Sequence, residues 1–391
     1  MSGLGRAVSG LRVLPVDGSP ASVAALADAL RDALGGGAPV LPLAAGDAGV
    51  SAGPGAGAAV VIATSGSTGA AKHVVLSAAA LRASAEATAD RLGGPARWLL
   101  ALPGQHVAGV QVVVRALLAG GPPVVQDLRD GFRPDAFAAA TRELGAGRRC
   151  TSLVPTQLGR ILDAGGAALD ALRSYDAVLV GGAALAPSVR ERARTAGVTI
   201  VTTYGMSETA GGCVYDGRPL DGVRVELDAG GRIRLGGATL ADGYLDAPAL
   251  TAEAFVDGWF RTSDLGRWRD GRLEVLGRAD DVIVTGGENV APAAVELVLT
   301  AQAGVAAACV TGIPDDEWGR LVAAAVVLED GSGPLEPAFT ERLRAAVRAE
   351  LGRAAVPRVL RAVPAIPLRG IGKPDRAATA QILTRPHPRN G

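Results

Sequence analysis

A loop of glycines and hydroxyl side chains follows a short apolar run at residues 58–63 and ends on a lysine. Backbone N–H groups, hydroxyls and an ammonium in a loop after a buried strand can surround a polyphosphate, so this loop is a candidate nucleotide triphosphate site. The residues expected to bind are Thr64, Ser65, Gly66, Ser67, Thr68, Gly69 and Lys72. The loop differs from a Walker A loop, because Ala71 precedes the lysine and His73 follows it. Taken alone, such a cluster is also typical of a turn between two apolar segments.

Four further segments place polar side chains beside glycines or hydroxyls. They are residues 204–209 (YGMSET), 262–266 (TSDLG), 277–281 (GRADD) and 372–376 (GKPDR). Glu208 can hold Mg²⁺ against phosphate oxygens, and a solvated turn is the alternative. Asp264 can accept hydrogen bonds from a diol or cap a helix. Lys373 follows a flexible glycine, and a solvated surface lysine is the ordinary alternative.

Two glycines end the apolar run at residues 177–180. Gly181 and Gly182, followed by Ala183, have no Cβ that would keep a ligand away from the backbone. In a chain with 54 glycines, an ordinary tight turn is the alternative.

In this order and at these separations, the segments resemble those of the acyl-adenylate-forming superfamily, which includes acyl-CoA synthetases, luciferases and peptide-synthetase adenylation domains. The resemblance covers residues 58 to 376 and implies ATP, Mg²⁺ and coenzyme A as substrates and cofactors. It places Tyr204 at the adenine, together with Gly205, Met206, Gly181, Gly182 and Ala183. It places Ser207 at the α-phosphate and Glu208 at the metal. It places Asp264 and Arg278 at the ribose. It assigns catalysis to Lys373 with Ser207 and Glu208, and the hinge to Asp280.

Alternating strands and helices up to residue 201 predict an α/β fold with a largely parallel sheet covered by helices on both faces. A hairpin pattern at residues 223–235 predicts a β-rich segment that closes this domain. We expect a large ATP- and acyl-binding domain over residues 1–279 and a small mobile α+β domain over residues 280–391, with the hinge near Asp280. Relative to the superfamily, we expect a shortened N-terminal subdomain.

Two polar residues stand out at an otherwise apolar helix predicted over residues 108–119. His106 opens this helix, where it can cap the helix, line a core or lie beside the acyl substrate. Arg115 interrupts the apolar run, and a buried guanidinium needs solvent, a protein carboxylate or a substrate anion. Together with Gly109, this spacing resembles that of the o-succinylbenzoate-CoA ligases of menaquinone biosynthesis. The resemblance implies that Arg115 binds the second carboxylate of o-succinylbenzoate.

The same resemblance implies a two-step reaction. The succinyl carboxylate attacks the α-phosphorus of ATP with support from Lys373, and the thiol of coenzyme A then displaces AMP. Rotation about Asp280 brings Gly286, Gly287 and Asn289 to the path of coenzyme A, and an exposed β-turn is the alternative for that loop. A ligase for another aryl or medium-chain acid, and a non-catalytic nucleotide-binding homologue, are the competing interpretations.

Composition argues against several other classes of protein. Lysine plus arginine and aspartate plus glutamate both number 39 in 391 residues, so no net positive charge favours a nucleic-acid partner. Three widely spaced cysteines give neither a disulfide framework nor a metal-ligand spacing, which favours a reducing cytoplasm. No apolar stretch reaches the roughly 18 to 20 residues of a membrane span. We therefore expect small-molecule partners, no membrane insertion and a cytoplasmic location; a homodimer is compatible with the sequence.

Overall fold

The computed structural model describes residues 10–44, 53, 55, 57–64, 72–329, 331, 333–369 and 373–385. The elements up to residue 244 are β1 (Arg12–Pro15), α1 (Pro20–Leu34), β2 (Val40–Leu43), β3 (Ala58–Thr64), β4 (Lys72–Ser77), α2 (Ala78–Leu92), β5 (Arg97–Leu100), α3 (Val107–Leu118), β6 (Val124–Val125), α4 (Pro134–Glu143), β7 (Arg149–Leu153), α5 (Pro155–Ala164), α6 (Gly166–Arg173), β8 (Ala177–Val180), α7 (Pro187–Thr195), β9 (Ile200–Met206), β10 (Gly211–Tyr215), β11 (Arg218–Pro219), β12 (Val223–Leu227), β13 (Arg232–Gly237) and β14 (Gly243–Tyr244). The later elements are α8 (Pro248–Ala254), β15 (Phe255–Val256), β16 (Trp259–Arg269), β17 (Arg272–Arg278), β18 (Ile283–Thr285), β19 (Glu288–Val290), α9 (Pro292–Thr300), β20 (Val305–Asp315), β21 (Gly319–Leu328), α10 (Pro337–Leu351), β22 (Val359–Ala362), β23 (Leu368–Arg369), β24 (Lys373–Pro374) and α11 (Arg376–Thr384).

The predicted parallel sheet is confirmed. Its strand order is β11-β10-β9-β8-β7-β5-β6. Strands β6, β5, β7, β8 and β9 are parallel, β10 is antiparallel to β9, and β11 is antiparallel to β10. Alternate residues of β5 face opposite sides, since Leu100 packs with helices α1 to α3 and Leu99 packs with helices α4 to α7. Helices therefore cover both faces, as the alternating pattern predicts.

Two further sheets flank this one in the larger part of the chain. One has the order β1-β2-β3-β4-β14, and the other is an antiparallel sheet of β12-β13-β16-β15 with β17 beside β16. The hairpin predicted at residues 223–235 is confirmed as β12 and β13. Strand β4 is not predicted by the sequence pattern, and it pairs Lys72 with Thr64 of β3. The loop predicted to bind phosphates, residues 64–72 and called the phosphate loop below, therefore joins two antiparallel strands.

The C-terminal part has a core of its own. Strands β20, β21 and β22 form a sheet with α9 and α10 on one face and α11 on the other. These two clusters draw only on residues from 283 onward, whereas the clusters of the larger part end at residue 273. This separation supports the predicted boundary between residues 279 and 280, which stays a prediction.

Two sequence-based assignments differ from the structure. The alternating pattern predicts strands only up to residue 201, whereas strand β9 continues to Met206 and includes residues 204–206. Helix α6 is missed because two glycines, Gly165 and Gly166, separate it from α5 and suggest a loop. No helix among the described residues is long and apolar enough to cross a bilayer.

The hairpin of β9 and β10 depends on glycine at position 205. A Cβ at Gly205 would overlap the carbonyl oxygen of Gly211 and approach the Cα of Gly212 to 2.7 Å. We expect Gly205→Ala to lower the free energy of unfolding by about 1–3 kcal/mol, measured by chemical denaturation. A Cβ at Gly159 of α5 would meet no described atom within 4 Å, so Gly159→Ala is the control and should stabilise by about 0.5–1 kcal/mol. Equal stability of the two variants would contradict this account.

Candidate functional site

Strand β9 carries the predicted nucleotide-binding segment, residues 204–209, to the carboxyl edge of the parallel sheet. Residues 204–206 end the strand, and the chain then turns through a short 3-10 helix, Ser207–Thr209. The Thr209 hydroxyl closes the turn, because the backbone N–H of Met206 donates to its Oγ1 at 3.0 Å. Ligands of open α/β sheets bind at this edge. The turn therefore places Glu208 at this edge, and its role in nucleotide binding stays a prediction.

A hydrogen bond between Tyr204 and Asp264 joins the parallel sheet to the antiparallel sheet. The Tyr204 hydroxyl donates to Asp264 Oδ2 at 2.8 Å. Burial, and then the neighbouring carboxylate, raise the pKa of Tyr204, so the phenol keeps its proton. Asp264 lies within β16 opposite Arg278 of β17, which makes the helix-cap alternative wrong. The residues predicted for adenine and ribose thus meet at one place.

The predicted ribose and hinge residues are also in contact. Arg278 Nη2 donates to Asp280 Oδ2 at 2.8 Å, and Asp280 lies in a short 3-10 turn after β17. Both side chains are substantially exposed, so the pair contributes little stability by itself. The contact couples the orientation of Arg278 to the turn proposed to act as the hinge.

A second tyrosine brings the phosphate loop to the predicted metal ligand. Tyr244 of β14 donates its hydroxyl proton to Glu208 Oε1 at 2.9 Å. Because β14 pairs with β4, the Lys72 ammonium lies 5.4 Å from the centre of the Tyr244 ring, a cation–π distance. Thr64 Oγ1 donates to the Lys72 carbonyl at 3.2 Å and ties the loop ends together. Tyr244 is not predictable from local sequence, because its partner lies 36 residues earlier.

Some predicted residues lie wholly or partly outside the described part of the chain. The middle of the phosphate loop is outside it: Ser65, Gly66, Ser67, Thr68 and Gly69. The backbone of Lys373 begins β24 and pairs with Arg369, while its side chain is outside the described part. The roles of these residues stay predictions.

The glycines after β8 have a steric reason of their own. A Cβ at Gly181 would overlap the Thr203 hydroxyl of β9, and Gly182 has a φ of +81°, which favours glycine. Ala183 follows them as an exposed residue. The backbone requires both glycines without any ligand, so their contact with adenine stays a prediction.

Helix α3 begins at the predicted acyl site. His106 occupies the N-cap position, but its side chain makes no capping hydrogen bond to this described helix, so the capping alternative is wrong. A Cβ at Gly109 would overlap the carbonyl oxygen of Pro103, which means that the helix start packs directly on the chain before it. The acyl-binding roles of His106 and Gly109 stay predictions.

Arg115 is buried in the last turn of α3 with 6% of its surface exposed. Its Nη2 donates to the Tyr215 hydroxyl at 3.2 Å, and its guanidinium lies 5.3 Å from the centre of the Trp98 ring. Among the described residues it has no carboxylate oxygen within 4.0 Å. The guanidinium is thus nearly closed to solvent and has no described carboxylate beside it, and its binding of a substrate anion stays a prediction.

Further buried polar side chains accompany Arg115 in an otherwise apolar core. They are Ser84 and Thr88 of α2, Gln111 of α3 and Tyr215 of β10. Gln111 Oε1 and Arg115 Nε have no hydrogen-bond partner within the described ranges, and the two residues lie one helical turn apart. Unsatisfied buried polar atoms are rare in folded proteins. Two such atoms therefore lie close to each other on the helix predicted to line the acyl site.

The predicted coenzyme A loop is a tight turn between β18 and β19. Gly286 and Gly287 both have positive φ, and the N–H of Gly286 donates to the Trp318 carbonyl at 3.1 Å. Asn289 is exposed in β19. The turn alternative is confirmed as a local conformation, and the contact with coenzyme A stays a prediction.

The segment after Lys373 is fixed to the start of the C-terminal part. Arg376 binds Glu296 of α9 through its Nη1, and its Nε lies 3.4 Å from Asp281 Oδ2. Its Nη1 also donates to the Val310 carbonyl. Arg376 therefore links the base of the Lys373 segment to the residue beside Asp280.

Both parts of the chain match known protein families. The AMP-binding enzyme family matches residues 13–245, and the AMP-binding enzyme C-terminal domain matches residues 294–373. A probable 2-succinylbenzoate–CoA ligase of Mycobacterium tuberculosis is 49% identical over 82% of this chain and 83% of its own length.

Two solved structures share the fold over nearly the whole chain. The amide bond synthetase McbA of Marinactinospora thermotolerans has a TM-score of 0.74 at 30% identity, covering 96% of this chain and 80% of that one. Wild-type E. coli MenE with a bound m-phenylether-linked analogue of OSB-AMS has a TM-score of 0.72 at 25% identity, covering 98% and 90%.

The Tyr204 hydroxyl is expected to orient Asp264 toward a nucleotide. Removing it in Tyr204→Phe should raise the KM for ATP about fivefold, because a hydrogen bond to a charged group is lost. Tyr175→Phe is a matched control, since the buried Tyr175 hydroxyl contacts Thr141 at 2.8 Å in the other core cluster. An unchanged KM for ATP in Tyr204→Phe, measured by pyrophosphate release, would contradict this role.

Proposed function

This chain belongs to the AMP-binding enzyme family, and we propose that it ligates 2-succinylbenzoate (o-succinylbenzoate) to coenzyme A in menaquinone biosynthesis. The reaction consumes ATP, passes through an acyl-adenylate and releases pyrophosphate and AMP. The Mycobacterium tuberculosis relative carries this ligase activity in its name. Glu208, Asp264, Arg278 and Lys373 are all present, which argues against a non-catalytic homologue. A cytoplasmic location and a homodimer stay predictions.

The observation that favours a dicarboxylate is the buried guanidinium of Arg115. Arginine stays protonated in proteins, and a buried charge needs a compensating partner. Its present partners are a neutral hydroxyl and an aromatic face. 2-Succinylbenzoate has two carboxylates: the succinyl one reacts with ATP, and the ring one is free to bind Arg115. A monocarboxylic aryl or fatty acid has no second carboxylate that could compensate the charge of Arg115.

The nucleotide is held by residues from three sheets. Lys72 and the hydroxyls of the phosphate loop bind the β- and γ-phosphates, and Ser207 donates to the α-phosphate. Tyr204 packs against adenine beside the backbone of Gly181 and Gly182. Asp264 and Arg278, which oppose each other on β16 and β17, bind the ribose hydroxyls.

The residues present fit Mg²⁺ that arrives with ATP. Mg²⁺ in nucleotide sites is held by one or two carboxylates together with phosphate and water. Glu208 supplies one carboxylate at the turn, held in place by the Tyr244 hydroxyl. The described residues contain no group of three acidic, histidine or cysteine side chains that would form a closed metal cage. When bound, Mg²⁺ would neutralise charge on the phosphates.

Each step transfers the acyl group with simple bond changes. In the first, a succinyl carboxylate oxygen bonds to the α-phosphorus while the bond to the pyrophosphate oxygen breaks. The Lys373 ammonium stabilises the charge that develops at the α-phosphate, and Lys72 stabilises the leaving pyrophosphate. In the second, the deprotonated sulfur of coenzyme A attacks the acyl carbon, and AMP leaves with the electron pair of the broken C–O bond.

Rotation of the C-terminal part about Asp280 would separate the two steps. It would withdraw Lys373 and bring the turn with Gly286, Gly287 and Asn289 to the acyl group. Arg376 would carry the Lys373 segment along with the hinge turn, because it contacts both Glu296 and Asp281. A short turn is the kind of element that absorbs such a rotation.

Lys373→Ala should reduce adenylation by about 10²- to 10³-fold, because it removes one positioned cation from the transition state. Thioester formation from supplied acyl-adenylate should be nearly unchanged. The two half-reactions can be followed by pyrophosphate exchange and by thioester formation. Equal loss in both would contradict the alternation of the C-terminal part.

Wild-type protein should release pyrophosphate with 2-succinylbenzoate far faster than with benzoate or hexanoate, and should prefer it to 4-oxo-4-phenylbutanoate, which lacks the ring carboxylate. Arg115→Leu should raise the KM for 2-succinylbenzoate about 100-fold, because one member of a buried charge pair is lost. In the same variant, the preference for 2-succinylbenzoate over 4-oxo-4-phenylbutanoate should disappear. The exposed Arg142 provides the control variant, Arg142→Leu. A preference that survives in Arg115→Leu would show that another group binds the ring carboxylate.

A further inference from the structure

A chain of buried hydrogen bonds connects Arg115 to the backbone beside the nucleotide turn. Arg115 Nη2 lies 3.2 Å from the Tyr215 hydroxyl, which lies 3.0 Å from Thr88 Oγ1. Thr88 Oγ1 in turn contacts the Ser84 carbonyl at 2.7 Å, and Ser84 Oγ contacts the Ala210 carbonyl at 3.0 Å. Ala210 directly follows the turn that contains Glu208.

The direction of every proton in this chain is determined. A backbone carbonyl only accepts, so the single hydroxyl proton of Thr88 goes to the Ser84 carbonyl. Thr88 therefore accepts the proton of Tyr215, and the Tyr215 oxygen is left as an acceptor for Arg115. Tyr215 thus presents an oriented lone pair to the guanidinium.

The hairpin of β9 and β10 fixes the tyrosine ring as well. A Cβ at Gly212 would lie 3.1 Å from Tyr215 Cε1, so the ring lies directly beside this glycine. Gly212 pairs with Gly205, the residue next to Tyr204. The same strands that hold the nucleotide residues therefore hold Tyr215.

We propose that Tyr215 is a positioning residue for acyl specificity: it orients the Arg115 guanidinium so that the remaining N–H groups face the ring carboxylate. This inference rests on the proposed function. One Nη2 proton is engaged by Tyr215 and the guanidinium lies near Trp98, while Nε is buried without a partner among the described residues. Gln111, one turn earlier, also has an unpartnered buried oxygen within the same ranges. Arg115 Nε and Gln111 Oε1, the two buried atoms without a described partner, mark the region that the acyl substrate enters.

Tyr215→Phe keeps the ring and removes the acceptor. The KM for 2-succinylbenzoate should rise about three- to tenfold, because Arg115 regains rotamer freedom that binding must then remove. The kcat, the KM for ATP and the KM for 4-oxo-4-phenylbutanoate should stay near the wild-type values. A merely structural defect would change all of these together. Tyr175→Phe, which breaks a similar buried Tyr–Thr contact away from the site, should leave both acid KM values unchanged.

Thr88→Val tests the same chain from its other end. The Tyr215 hydroxyl would lose its acceptor, so the KM for 2-succinylbenzoate should rise in the same direction. The double variant Thr88→Val/Tyr215→Phe should have the same KM for 2-succinylbenzoate as Tyr215→Phe alone, because either substitution already breaks the same chain of hydrogen bonds. Additive effects of the two substitutions would overturn the inference.

Arg115→Leu separates failure of this inference from failure of the proposed function. If Arg115→Leu abolishes the preference for 2-succinylbenzoate and Tyr215→Phe leaves it intact, the positioning role is wrong and the function stands. If neither variant alters the preference, the assignment of Arg115 fails and the inference fails with it. We expect Arg115→Leu to lose the preference for 2-succinylbenzoate completely and Tyr215→Phe to lose it in part.

Discussion

A positive charge buried without a carboxylate among the described residues is the constraint around which the proposed acyl site is arranged. Arg115 is almost fully enclosed, and within the described ranges it is balanced only by a hydroxyl and an aromatic ring. Leaving a buried charge uncompensated costs several kcal/mol. The polar residues Thr88 and Tyr215, which interrupt an apolar core, are explained by this requirement. The proposed ring carboxylate would supply the remaining compensation.

At the proposed nucleotide site, two tyrosine hydroxyls orient acidic side chains. Tyr204 links the parallel sheet to Asp264 of the antiparallel sheet, and Tyr244 links the third sheet to Glu208. Each hydroxyl donates to a carboxylate, so each acidic group keeps a defined orientation before ATP binds. Residues separated by many positions in sequence thereby form one surface along the edge of the sheet, next to the helix that carries Arg115.

Local signals predict much of the fold, and contacts between distant residues explain what they miss. The starts of helices α1 and α2 are local signals, because Ser19 and Ser77 cap these helices through their own side chains. The end of β9 is missed, since pairing with the glycines of β10, and not its own composition, keeps residues 204–206 extended. Motif segments identify Tyr204, Glu208, Asp264 and Arg278. Tyr215 belongs to no motif, because its partner Thr88 lies 127 residues earlier.

The central claim is that the ring carboxylate of 2-succinylbenzoate completes the buried site of Arg115. A crystal structure with a non-reactive sulfamate analogue of 2-succinylbenzoyl-adenylate tests it most directly. The account predicts a ring-carboxylate oxygen about 2.8 Å from a guanidinium nitrogen of Arg115, with the Tyr215 contact retained. A ring carboxylate bound by another cation or directed to solvent, with Arg115 still enclosed by neutral groups, would contradict it.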